Sequence, residues 1–85
     1  ISWTGSENCD NYIIYQSKQE HVLKYAINAP ITSPLIQKDI INHDANQASY
    51  SITVPRRSAS HYLAIQVQKG SLYSKASPPL ILTNL

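Results

Sequence analysis

The sequence predicts an all-β domain of two stacked antiparallel sheets, and three observations carry that prediction. Its apolar residues are chiefly Ile, Leu, Val and Tyr, with no Phe or Met. Branched and aromatic side chains suit a pleated, half-buried surface better than a helix. Short apolar or alternating runs recur between clusters of Ser, Asn, Asp, Gly and Pro, the residues that favour turns. No stretch sustains a helical period over the length of an ordinary helix. Many short strands with frequent turns argue for a sandwich or a barrel.

Taken in order, Ile1-Ser2-Trp3-Thr4 alternates apolar and polar and predicts a strand. Residues 5–10 are rich in bend-forming side chains and predict a turn. Tyr12-Ile13-Ile14-Tyr15 is a short apolar run with strand character, and residues 17–20 are a polar turn. Residues 21–29 read as a further strand, although Val22, Leu23, Tyr25 and Ile27 break strict alternation; a short helix is the alternative. Pro30 and Pro34 then deny the chain a continuous helix or a central strand. Leu35, Ile36, Ile40 and Ile41 fit either one helical turn or a short edge strand.

Residues 42–47 form a loop. Tyr50-Ser51-Ile52-Thr53-Val54 is the cleanest alternation, closed by Pro55 and a polar turn over 56–60. Residues 61–68 give the longest strand signal. Leu63, Ile65 and Val67 fall on one face, with Tyr62, Ala64, Gln66 and Gln68 on the other. Lys69-Gly70 is a tight turn, where Gly70 is able to take positive φ. Residues 72–77 return as the antiparallel partner, Pro78-Pro79 interrupt it, and Leu80-Ile81-Leu82 resume an apolar tail.

The 85 residues make one domain, 1–85, with a core but little volume to spare for a deep cavity. Net charge is +2 and the seven basic residues are spread along the chain, with only Arg56 and Arg57 adjacent. Nucleic-acid binding needs clustering that this pattern lacks. No apolar run approaches the roughly 20 residues that span a bilayer, which argues against direct membrane insertion. The chain opens inside a strand pattern rather than a signal peptide, as a segment of a larger secreted protein would. Cys9 is the sole cysteine, so an internal disulfide is impossible. A thiol in or beside the core is expected, with a bond to another domain as the alternative.

Little in the sequence points to chemistry. Glu7, Asp10, Glu20, Asp39 and Asp44 all fall in predicted turns or loops and read as solvated surface. His21, His43 and His61 lack metal-ligand spacing; His43 beside Asp44 is a weak pair. No strained nucleophile turn and no glycine-rich phosphate loop occurs. No catalytic, cofactor-binding or metal residue is therefore predicted. Trp3 reads as core. Tyr12 and Ile14 face inward, which places Ile13 and Tyr15 on the outer face with Tyr62, Ala64 and Gln66 of the neighbouring strand. That apolar, aromatic face is the candidate partner-binding surface; ordinary cross-strand pairing on a solvent face is the alternative.

The order of these elements resembles a fibronectin type III module, an immunoglobulin-like sandwich. Ile1-Ser2-Trp3-Thr4 is similar to that family's second strand, with its Trp between the sheets. Asp10 to Gln16 resembles the third strand, and Tyr50-Ser51-Ile52-Thr53-Val54-Pro55 the fifth strand with its Pro. Leu63, Ile65 and Val67 match inward positions of the sixth; Gly70, Ser74, Ser77 and Pro78 resemble the closing hairpin. The family's first strand has no counterpart, and His61, with Tyr62 beside it, stands where the family begins its sixth strand with Tyr. A narrower resemblance runs through Ile1-Ser2-Trp3-Thr4, Asp10 with Tyr12-Ile13-Ile14, and Tyr62-Leu63-Ala64-Ile65-Gln66. These look similar to the fibronectin-like domain of calcium-activated chloride channel regulator proteins.

The resemblance implies a non-catalytic interaction or spacer module of a multidomain extracellular protein, secreted or at the cell surface, without cofactors. Its partner would be another protein or an adjacent domain, and an uncovered first-strand edge would favour self-association. The alternative is an accessory domain of a larger secreted or cell-surface hydrolase or protease.

Overall fold

The computed structural model describes residues 2–5, 9–44, 46–52 and 61–82. In chain order the strands are β1 (Ser2–Thr4), β2 (Asn11–Ser17), β3 (Gln37–Asn42), β4 (Ser49–Ser51), β5 (His61–Lys69), β6 (Leu72–Tyr73) and β7 (Leu80–Leu82). Every pairing is antiparallel, and the one helical element is a single 3₁₀ turn at Glu20–Val22 among the described residues. The fold is all-β.

β2 and β5 are the centre of the larger sheet, paired from Asn11↔Gln68 to Ser17↔Tyr62. β3 flanks β2, and the far side of β5 carries β6 and then β7. β1 and β4 form a separate two-stranded ladder that matches Trp3 with Tyr50. A pair of three-residue strands is marginal alone; here it is held by packing against the larger sheet.

The strict side-chain alternation of β2 and β5 sends two sets of residues to opposite faces. On one face Tyr12, Ile14 and Leu63 are buried together with Cys9 and Tyr50, and Trp3, Ile65 and Val67 pack around them. On the other, Ile13, Tyr15 and Ala64 are buried together with Leu23, Ile31 and Ala76. Fully burying one such Ile or Leu side chain contributes about 2 kcal/mol, so both faces matter to stability.

Several expectations change at this second face. Residues 21–29 are not a strand. They are the 3₁₀ turn followed by turns, with Ala26 at φ 58°, and they fold across the sheet so that Val22, Leu23 and Ile27 reach it. The broken alternation has this cause: the apolar residues answer to the sheet beneath and not to a ladder. Between the two readings of residues 35–41, the edge strand holds, as β3. The return of residues 72–77 is a ladder only at Leu72–Tyr73. Beyond it the Ser74 and Ser77 hydroxyls accept the N–H groups of Val67 and Ile65, each at 2.9 Å. Leu80–Leu82 then rejoins β5 beyond the two prolines. Residues 6–8 of the turn expected over 5–10, the turn expected over 56–60 and the end of the strand expected over 50–54 lie outside the described residues.

Candidate functional site

The five residues expected to form an exposed docking face are brought together by β2 and β5, but under cover. Ile13, Tyr15, Ala64 and Gln66 are all buried, and only Tyr62 is partly exposed. The expected surface is closed by the chain's own segment 22–36, whose Leu23 and Ile31 sit on it. The side-chain directions follow the alternation; the solvent expected beyond them has been replaced by protein.

A polar cluster fastens that cover. The Tyr15 hydroxyl donates to Gln66 Oε1 at 2.7 Å and accepts the Ile31 N–H at 3.3 Å. Gln66 Nε2 faces the carbonyls of Ala29 at 2.8 Å, Ser74 at 3.1 Å and Ile27 at 3.3 Å. Backbone bonds from Ala26 N to Ala76 O and from Ala76 N to Ile27 O extend the seam. One amide thus ties the covering segment to the end of β6. Desolvation by burial pushes the Tyr15 phenol above its ordinary value; the Ile31 N–H pulls the other way and Tyr73 adds a smaller upward effect. A polar residue on the face opposite Leu63, Ile65 and Val67 looked like solvent exposure in the sequence. The available signal was Tyr15, a large residue paired with the small Ala64 two positions from Gln66.

The opposite face ends in an aromatic cluster. Trp3 stacks on Tyr50 at 5.9 Å and meets Tyr12 edge-on at 5.7 Å, and Tyr12 and Tyr50 are 4.6 Å apart. The Tyr12 and Tyr50 hydroxyls lie 2.9 and 3.0 Å from His43 Nδ1. Tyr50 also donates to the Asp44 carbonyl and accepts the Asp44 N–H, which closes the 43–47 loop onto β4. Gly5 passes close by: a Cβ there would lie 2.8 Å from the Tyr50 ring and 3.0 Å from the Tyr12 hydroxyl. Trp3 packs against this core while remaining partly exposed. His43 is committed to tyrosine hydroxyls, and Asp44 Oδ1 accepts the Asn46 N–H at 2.9 Å. Among the described residues no group of three His, Cys, Asp or Glu side chains is placed to hold a metal ion.

Asp10 has a local role as well, accepting the Gly70 N–H at 2.7 Å and so bracing the turn where Gly70 takes φ 58°. Cys9 is buried beside Tyr12 and Tyr50. Of the histidines, His21 is exposed, His43 half-buried and His61 buried.

Among the described residues, two recesses open on the surface. One, of about 280 Å³, lies where β2 ends and β3 and β5 begin; its walls include Gln16, Gln37, Leu35 and His61. The other, of about 340 Å³, lies between the 3₁₀ turn, Tyr25 and Pro79. Apart from these, the apolar groups left in solvent sit mainly on edge strands and turns. Leu80 and Ile81 of β7 are 51% and 56% exposed, and Leu72 at the β5–β6 turn is 72% exposed. Compared with protein-family models, curated proteins and solved structures, the chain has no match.

Proposed function

We propose that the chain is a non-catalytic interaction or spacer module of a multidomain extracellular protein, with a fibronectin type III-like two-sheet sandwich, and that it makes its protein contacts through a sheet edge. One observation carries this reading. Both faces of the β2–β5 centre of the five-stranded sheet are filled by the chain's own side chains, whereas its edge strands leave apolar residues more than half exposed: Ile40 on β3, and on β7 Leu80 and Ile81, one toward each face. An edge strand with apolar residues on both faces offers backbone groups and anchoring side chains to a further strand, from a neighbouring domain or from another copy. The sandwich reading rests on Trp3 and Tyr50 of the small ladder packing on Tyr12 of the larger sheet. A chain this short, with its faces occupied by core, is suited to holding neighbours at a set distance.

Amide shifts of the ¹⁵N-labelled chain, followed from micromolar to millimolar concentration, test the edge. Saturable changes are expected at residues 80–82, and the double substitution Leu80→Ser, Ile81→Ser should remove them. Changes centred on Tyr15 and Gln66, or none at millimolar concentration, would overturn the edge-contact reading.

A further inference from the structure

We propose that the recess at the Gln16 end of the larger sheet is a binding site for a small neutral ligand rich in hydroxyl groups, of the size of one sugar ring. Gln16 is 4% exposed, on the face that otherwise buries Tyr12, Ile14 and Leu63. Its Oε1 has no hydrogen-bond partner among the described residues. A buried amide oxygen without a partner is destabilising, and a leucine at this position would avoid that cost. The same side chain lines the recess of about 280 Å³. A turn about its soft terminal torsion delivers the oxygen to whatever sits there.

The wall chemistry selects the ligand class. Gln16, Gln19, Gln37, Ser17 and the buried His61 line the recess, the Ser17 hydroxyl already accepting the Gln19 N–H at 3.0 Å, and no carboxylate joins them among the described residues. A cation would find no counter-charge. An anion would find one ammonium, that of the exposed and therefore well-hydrated Lys18. Amides present donors and acceptors side by side, and a hydroxyl is both at once, so vicinal hydroxyls match this lining. Leu35, 55% exposed at the rim, supplies an apolar contact for the C–H face of a ring. The volume lies near the lower end of ligand sites, roughly 300 Å³, which suits one ring and not a chain of them.

Methyl glycosides of neutral hexoses are the probe, titrated into the ¹⁵N-labelled chain at fixed protein concentration, which separates ligand effects from edge contacts. Saturable shifts are expected at the Gln16 side-chain amide, Gln37 and His61 for at least one glycoside. Gln16→Leu should weaken that binding about tenfold or more, the equivalent of one lost hydrogen bond of roughly 1.4 kcal/mol. Gln37→Ala, an exposed position whose loss leaves the fold intact, should weaken it less. Three results would overturn the assignment: no saturable shift at tens of millimolar glycoside, equal binding by Gln16→Leu, or shifts produced by inorganic phosphate and not by glycosides.

Discussion

Gln66 and Gln16 are both buried amides on paired strands, yet they are opposites. Gln66, on β5, faces the covering segment. Its oxygen accepts a hydrogen bond from the Tyr15 hydroxyl, and its nitrogen is directed at three carbonyls. Gln16, on β2, faces the other side, where its Oε1 meets no donor among the described residues. The same side chain is a fastening in one place and a cost in the other, because burial strengthens a satisfied polar group and penalises an unsatisfied one. The difference separates what holds this fold together from what is available for binding.

The largest expected effect comes from breaking the satisfied side. Gln66→Leu keeps the volume roughly constant but strands the Tyr15 hydroxyl proton and the carbonyls of Ala29 and Ser74, while the Ile27 carbonyl keeps the Ala76 N–H. With unsatisfied groups costing about 1–3 kcal/mol each and some relaxation of the segment toward water, a loss of about 3 kcal/mol is expected. Urea unfolding should show the midpoint fall. A loss under about 1 kcal/mol would mean that apolar contacts alone hold the segment.

Tyr15→Phe should cost less, about 1–2 kcal/mol, since it removes one hydroxyl and leaves Gln66 its carbonyl partners. The loss should be local. Hydrogen exchange at the Ile31 amide, whose acceptor disappears, should accelerate more than exchange in the centre of β2. Uniform acceleration would show that the covering segment and the sheet open as one unit.

These two residues also show how far the sequence could be read. The strands β1, β4 and β5 were legible because alternation is a local property, β2 because a short run of branched and aromatic residues is one too, and the turn at Gly70 because glycine permits positive φ. The assignment of side chains to faces was legible for the same reason. What lay beyond the second face was not. Leu23, Ile27 and Ile31 are apolar but follow no strand period, since their spacing answers to Tyr15, Ala64 and Ala76 far away in sequence. Gln66 looked like a surface residue because nothing local distinguishes an amide bonded to carbonyls 37 and 39 residues away from one bonded to water. The Gln16 recess was invisible for a related reason: it needs the end of β2 and the starts of β3 and β5 at one place.

Alkaline pH offers a finer probe of the satisfied side. Burial raises the Tyr15 phenol in the folded state above its ordinary value near 10. Below that pH both folded and unfolded phenols are neutral, and the contribution of the hydroxyl is complete. As pH rises past about 10 the unfolded phenol ionises first, so unfolding is favoured and the contribution is lost progressively up to the folded value, by at most about 1.4 kcal/mol per pH unit. The other tyrosines ionise too, so the informative quantity is the stability gap between the wild type and Tyr15→Phe. That gap should be constant below about pH 10 and narrow above it; a gap that widens would reverse the sign of the assigned shift.

The smallest expected effect lies on the unsatisfied side, and its sign carries the comparison. Gln16→Leu removes an amide whose oxygen gains nothing from the protein and puts apolar atoms beside Ile14 and Leu63. Stability should stay within about 1 kcal/mol of the wild type and rise more readily than fall, although Gln16 is as buried as residues whose loss is costly. Chemical denaturation of the unliganded chain, with an unchanged dependence on denaturant, would read this directly. A loss comparable to that of Gln66→Leu would mean that Gln16 is fully bonded in solution, by ordered water in the recess. The contrast between the two amides would then lie in which partner satisfies them rather than in whether they are satisfied.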